Sequence, residues 1–451
     1  MVGRKVRRFG PGCGRHAKQQ DKRQDRQAHR GLSQGAAARV WQSGRAGTRA
    51  ESFPPAGFRA SRVQTAEGTM REILERLLAF DTVSSKPNLA LMEHVRGLLE
   101  GAGLRVFLIP DPAGGKANLY ASTGPEGAGG VMLSGHTDVV PVEGQHWTRP
   151  PFALTEADGR YYGRGAADMK GFVACAVEAM LLASRRPLKV PLHLALSYDE
   201  EIGCMGVRSL IDMLEAAPVK PRFCIVGEPT GMQVATGHKG KVALRATCVG
   251  REGHSALAPL ALNALHLAGD FLAAVRRVQA EVAATGLRDG DYDVPYTTLH
   301  VGKMSGGVQV NIVPNHATLD FEIRSLAGED VAGLIHRLEA EAEAIIAPLR
   351  AEFPEAAIRV ERLWDYPGLG TPSDAEVVRF VKGLTGANAT IKVAFGTEGG
   401  LFDARLGIPT VICGPGSMAQ GHKPDEFVAV EQVERCRGML AALVDRLEAG
   451  I

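Results

Sequence analysis

No run of roughly 18 apolar residues, the minimum for a membrane-spanning helix, escapes interruption by a charged residue, Gly or Pro in this sequence. A membrane span is therefore excluded. No two of the seven cysteines (13, 175, 204, 224, 248, 413 and 436) have C-x-x-C spacing, which argues against thiolate zinc sites and a disulfide framework. Most lie inside apolar runs such as PRFCIVGEP and read as reduced core residues of a cytoplasmic protein. Net charge is scarce too, at +2 over 451 residues, but it is unevenly spread. Residues 1–69 carry 15 Lys+Arg against 4 Asp+Glu, and the remainder 37 against 46. An acidic body without a basic stripe excludes nucleic acid as its partner.

Residues 1–69 have almost no aliphatic periodicity, and a chain of that composition cannot offset its ordering entropy by burial. This segment is expected to be disordered, an upstream stretch ahead of a start at Met70; a targeting or interaction arm is the alternative. From Met70 helix and strand periods alternate. Strands such as VMLSG and LHLAL are apolar on both faces, as in an α/β sheet buried under helices. Between 239 and 365 the order becomes β-α-β-β-α-β, that of a ferredoxin-like α+β domain, and 366–451 returns to α/β. The expected organisation is a domain of 70–238 and 366–451 with 239–365 inserted.

Five segments place polar residues directly after apolar strands. They are His136 and Asp138 in SGHTDVVP, Asp168 in GRGAADMKG, Asp199, Glu200 and Glu201 in SYDEEIG, Glu228 in GEPT, and His422 in GHKPDEF. Each has an ordinary reading alone: a loop histidine, a helix N-cap, a solvated acidic turn. Together they would gather carboxylates at the carboxyl edge of one sheet, where ligands of such sheets bind. Buried acids so close repel unless cations balance them. Nitrogen and oxygen donors without thiolates suit two Zn2+, with Co2+ or Mn2+ as replacements.

These five motifs, in order over essentially all of 70–451, resemble the co-catalytic zinc aminoacylase and carboxypeptidase family, which contains acetylornithine deacetylases, desuccinylases and carboxypeptidase G-like enzymes. The resemblance implies a zinc-peptidase-like α/β/α catalytic domain and an inserted ferredoxin-like lid that also joins a homodimer. It implies His136, Asp168 and Glu228 as ligands of one zinc and Asp168, Glu201 and His422 of the other, with Asp168 bridging. Asp138 would orient His136, Glu200 would be the general base, and the bond from Asp168 to Met169 would be cis. On the lid, His254 in GREGHSA is implied as the oxyanion donor, supplied to the partner's site. Asn311 and Arg324 are the expected substrate-binding residues, since a guanidinium grips a carboxylate bidentately and so points to an N-acyl amino acid.

The segment KVAFGTEGGLF (392–402) resembles the acetylornithine deacetylase branch, and on that basis Glu398 is expected to meet the side-chain ammonium of N2-acetyl-L-ornithine. Gly399 and Gly421 stand where that branch more often has Ala. A dipeptidase or another N-acyl-amino-acid amidohydrolase, a desuccinylase included, is the enzymatic alternative. A non-catalytic binding protein on the same fold is the remaining one.

Overall fold

The computed structural model describes residues 69–451. The basic N-terminal segment read from the sequence lies outside the described residues apart from Thr69. That residue starts the first helix, Met70–Leu78, with a reciprocal cap: its hydroxyl accepts from the Glu72 amide, and the Glu72 carboxylate accepts from the Thr69 amide. Ile73, Leu74, Leu77 and Leu78 recur at helical spacing and bury that helix's inner face.

A nine-stranded sheet carries the larger core. Its order is 105–110, 117–123, 192–197, 131–136, 223–229, 410–414, 235–238 and 369–370, with 391–393 also pairing with 235–238. The four neighbours 192–197, 131–136, 223–229 and 410–414 run parallel, so their carboxyl ends share one edge. The outer strands 105–110 and 117–123 pair antiparallel. Strands Val131–His136 and Phe223–Pro229 are buried along their whole length, which requires cover on both faces.

Successive residues of a strand point to opposite faces, and the neighbours of strand Val131–His136 identify the cover. Gly135 approaches Met169 and Val173 of the Lys170–Ala183 region, whereas Ser134 bonds Glu398 at the start of helix Gly399–Leu406. Gly227 shows why that position needs glycine: an added Cβ would fall 2.0 Å from the Phe172 ring, so a side chain there would force helix and strand apart.

Residues 240–366 build a second, wholly antiparallel sheet in the order 298–306, 316–325, 240–249, 357–366. Helices Ala264–Thr285 and Val331–Ile346 pack on it around a separate core that includes Leu244, Phe271, Phe321 and Leu338. This is the β-α-β-β-α-β order expected from the sequence. The two crossings between the sheets pass in contact, since a Cβ on Gly240 would lie 2.6 Å from the Gly368 amide nitrogen. No helix among the described residues is long and apolar enough to cross a membrane.

His193, on strand Leu192–Ser197, stacks on Tyr120 with ring centroids 5.7 Å apart, and its ring nitrogens have no hydrogen-bond partner. Burial, helped by Arg105, lowers its pKa to about 4. An unfolded histidine titrates near 6.5, so between these values the unfolded chain holds more protons and stability falls as pH drops. His193→Phe keeps the stacked ring and removes that proton site. It should retain about 1–2 kcal/mol that the parent protein loses at pH 5, with little difference at pH 7.5. Thermal melts of both proteins at the two pH values check this.

Candidate active site

The shared edge of the four parallel strands gathers the acids and histidines. His136 ends its strand, Glu228 lies near the end of the next, and Asp199, Glu200 and Glu201 follow Leu192–Ser197 after Tyr198. His422 lies in the loop after Thr410–Gly414, and Asp168 precedes helix Lys170–Ala183 across a cis bond to Met169. Asp199 and His422 have left-handed backbone, with φ of 56° and 62°, uncommon for side-chain-bearing residues and typical of functional loops. The Asp168 turn is anchored by Glu426, which accepts from the Ala167 and Asp168 amides at 2.9 and 3.0 Å and from buried Arg164 at 2.6 Å.

Asp168 stands between two histidines. Its Oδ1 is 3.0 Å from His136 Nε2 and its Oδ2 is 3.1 Å from His422 Nε2. Each histidine faces one further carboxylate: Glu228 Oε1 is 3.5 Å from His136 Nε2, and Glu201 Oε2 is 3.1 Å from His422 Nε2. Donors about 2.0–2.2 Å from a tetrahedral zinc stand roughly 3.3–3.6 Å from one another, close to these separations. Glu201 Oε1 is buried with no hydrogen-bond partner, as expected of an atom that awaits a cation.

The electrostatics agree. Burial and nearby Asp168 push Glu228 well above the usual carboxylate range and lift Glu201 to about 7. Burial also raises Glu200, with Glu201, Glu398 and Asp168 adding to it. Hydrogen bonds to Asp168 and Glu201 raise His422 to about 10. Burial opposes ionisation of Asp168, but His136 and His422 outweigh it and hold its carboxyl low. Groups that compete for protons in this way are suited to displacing them with divalent cations.

Asp138 is placed differently from the expectation. His136 Nδ1 lies 2.9 Å from the Asp138 backbone carbonyl and 3.6 Å from its Oδ1, so it is the main chain that fixes the ring. The Asp138 carboxylate instead accepts from Ser84 Oγ at 2.7 Å and from the amides of Glu200 and Glu201 at 3.1 and 3.3 Å. It therefore holds the acidic pair as well as lying beside the histidine. Glu200 also accepts from the Cys204 thiol at 3.4 Å.

A cavity of about 220 Å³ opens above the cluster, lined on one side by Asp168, Glu200, Glu201, Glu228 and His422 and on the other by Lys241, Arg324, Trp364, Tyr366 and Phe395. The second wall comes mainly from the inserted sheet. Lys241 pairs in register with Arg324 and with Tyr366, which puts all three on one face. Glu322 accepts from both cations, at 3.0 Å from Lys241 and 2.9 Å from Arg324. Arg324 also donates to the Tyr366 hydroxyl at 3.3 Å, and Lys241 sits 4.4 Å over the Trp364 ring. Gly203, at φ 112°, leaves room for that ring: a Cβ there would meet it at 2.7 Å. Two cations against one wall acid leave this side suited to a single substrate carboxylate. Sequence reasoning found Arg324 but missed Lys241, Trp364, Tyr366 and Phe395.

Besides His136 and Asp138, which are buried, three expected site residues do not line this cavity. His254 and Asn311 are exposed on a small two-stranded ribbon at 253–254 and 312–313 and its approach. Glu398 requires a correction. It is 1% exposed, lies beneath the cluster, and accepts from Ser134 Oγ at 3.1 Å and from Ser197 Oγ. Burial raises its pKa to about 7. A carboxylate committed to two buried serines is not presented to a substrate ammonium.

Known proteins resemble this chain in sequence and architecture. The profile of peptidase family M20/M25/M40 matches residues 132–446. An acetylornithine deacetylase from Myxococcus xanthus is 37% identical over 380 residues, spanning 83% of this chain and 96% of that protein. One from Proteus mirabilis (strain HI4320) is 32% identical over 388 residues, 84% of this chain and 96% of that protein. Among solved structures, the M20 family metallo-carboxypeptidase Sso-CP2 from Sulfolobus solfataricus superposes with a TM-score of 0.67 at 20% identity, covering 85% of this chain and 100% of that one.

Proposed function

Because the chain belongs to peptidase family M20/M25/M40, we propose that it is a zinc-dependent amidohydrolase that converts N2-acetyl-L-ornithine and water to L-ornithine and acetate, a step toward arginine. The observation that carries this reading is the placement of Asp168 between two histidines, each facing its own second carboxylate. The similarity to acetylornithine deacetylases over most of the chain supports the choice of substrate.

His136, Asp168 and Glu228 would hold one ion, and Asp168, Glu201 and His422 the other. Zinc fits these nitrogen and oxygen donors, with cobalt or manganese as substitutes. When bound, the ions supply Lewis acidity to the acyl carbonyl and lower the pKa of water. Glu200 takes a proton from the attacking water and returns it to the departing amine. Arg324 and Lys241 grip the substrate's α-carboxylate and set the scissile amide over the cluster. Asp138 keeps Glu200 and Glu201 in register through their amides.

The site is completed by a second copy of the chain. His254 and Asn311 lie amid exposed apolar side chains, among them Leu257 at 57%, Leu260 at 69% and Val310 at 100% exposure. Strand Thr298–Gly306 is an open edge of the inserted sheet. An exposed edge and an apolar patch suit isologous pairing, which would carry His254 and Asn311 to the partner's cavity. In this arrangement residues 239–365 act as lid and dimer contact.

Hydrolysis of N-acetylornithine should disappear on chelation and return with added zinc, as ornithine release shows directly. A panel with N-acetylmethionine, N-succinyl-diaminopimelate and dipeptides sets the preference. Faster turnover of any of these would replace the substrate assignment.

A further inference from the structure

Glu398 is a buried carboxylate that the reaction as described does not use. Its two oxygens accept from Ser134 Oγ and Ser197 Oγ. Ser134 lies two residues before His136 on the same face of their strand. Ser197 pairs in register with His136 and ends the strand that continues into Asp199, Glu200 and Glu201. One carboxylate thus spans the two adjacent strands that present a candidate ligand and the acidic pair. Its own position is fixed from behind: the Gly399 amide bonds Thr397 Oγ1 at 3.0 Å, and the Gly400 amide bonds His238 Nε2 at 3.1 Å. A Cβ on Gly400 would lie 2.3 Å from the Pro367 carbonyl, so this turn packs directly against the crossing between the sheets.

We propose that Glu398 is a positioning residue, a hydrogen-bonded strut that sets the relative height of His136 and the Glu200–Glu201 pair beneath the metal centre. Substrate selection is left to the cavity wall. Among the described residues lining the cavity, the acids are Asp168, Glu200, Glu201 and Glu228, all committed to the cluster. The proposal rests on the metal-dependent reading above, and its test includes measurements that do not require turnover of N-acetylornithine.

The variants are Glu398→Ala, Glu398→Gln, Ser197→Ala and the double variant Glu398→Ala/Ser197→Ala. Groups that orient metal ligands typically cost about 10–100-fold in affinity or activity when removed. Glu398→Ala is expected to lose that much in zinc affinity, read by competition with a chromophoric chelator. Its kcat should fall by a similar factor for N-acetylornithine and N-acetylmethionine, with both KM values unchanged. The visible spectrum of the cobalt-substituted protein should shift. Glu398→Gln should restore most of each property, because an amide can accept from one serine and donate to the other. Ser197→Ala, a smaller change that serves if Glu398→Ala does not fold, should move the same readouts in the same direction. The double variant should be no worse than Glu398→Ala, since partners in one contact are not additive. A loss confined to N-acetylornithine, with cobalt spectrum and zinc affinity unmoved, would overturn the strut and return Glu398 to substrate recognition. If N-acetylornithine is not a substrate, the function assignment fails, while the spectrum and affinity still decide the role of Glu398.

Discussion

Glu200→Gln is expected to lower kcat by about 10²–10⁴-fold, the usual worth of a positioned proton carrier, while the purified protein keeps two metal ions per chain. The exchange removes proton-transfer capacity and leaves size nearly unchanged. Neighbouring Glu201 is expected to behave differently. Its Oε2 faces His422 at 3.1 Å and its Oε1 is buried without a partner, so Glu201→Gln should release metal. The assignment has a real competitor, because Glu200 also lies within 4.8 Å of donor atoms of His136 and Glu228. Metal analysis of both variants separates the two. Equal metal loss would mean that base and ligand have been exchanged or share both tasks.

His254→Ala should also be nearly inactive, and mixing it with Glu200→Gln should restore activity toward a quarter of the parent level. In a randomly exchanged mixture half the dimers are mixed, and each has one site with an intact Glu200 from one copy and His254 from the other, as two-fold symmetry requires. The expectation follows from the exposure of His254 on a ribbon whose neighbours include apolar side chains open to solvent. Demonstrated exchange without recovered activity would show that His254 serves its own chain, or none, and would leave the cluster around Asp168 untouched.

Most of the cluster was legible because its members stand at or just past the end of a buried strand, where an apolar run stops at a residue too polar to continue it; Asp168 instead stands in a buried turn before helix Lys170–Ala183. The opposite wall was not legible. Strand Ala357–Tyr366 has an irregularity between Arg362 and Trp364, and a bulge reverses the alternation of faces beyond it. Arg362 pairs with Leu244 of the core, but Trp364 pairs with Ala243 and Tyr366 with Lys241, on the cavity side. A simple period-2 reading of that strand sends the aromatics to the wrong face. Glu398 failed for another reason. Its neighbours along the chain indicate a turn before a helix, but its depth is set by Ser134 and Ser197, which are distant in sequence and unremarkable as residue types. Most strands and helices of the two sheets were readable because periodicity reports local burial; the short strands 235–238, 369–370 and 391–393 and helix Gly399–Leu406 were not. The atoms that Asp138 and Glu398 touch depend on packing between elements and left no local trace.

The donors are distributed along the chain in a way that constrains its biosynthesis. His136, Asp168, Glu200, Glu201 and Glu228 all precede the inserted sheet, and His422 follows it. At 5–20 residues per second, on the order of 10–40 s passes between synthesis of Glu228 and of His422. During that interval the nascent chain holds every carboxylate of the cluster and only one of its two histidines. The three donors assigned to the first ion are all made before the insert. The second ion must wait for a residue close to the chain's end. Synthesis thus sets the earliest moment at which each donor set can be complete, and a product truncated within the insert would carry the acids without His422.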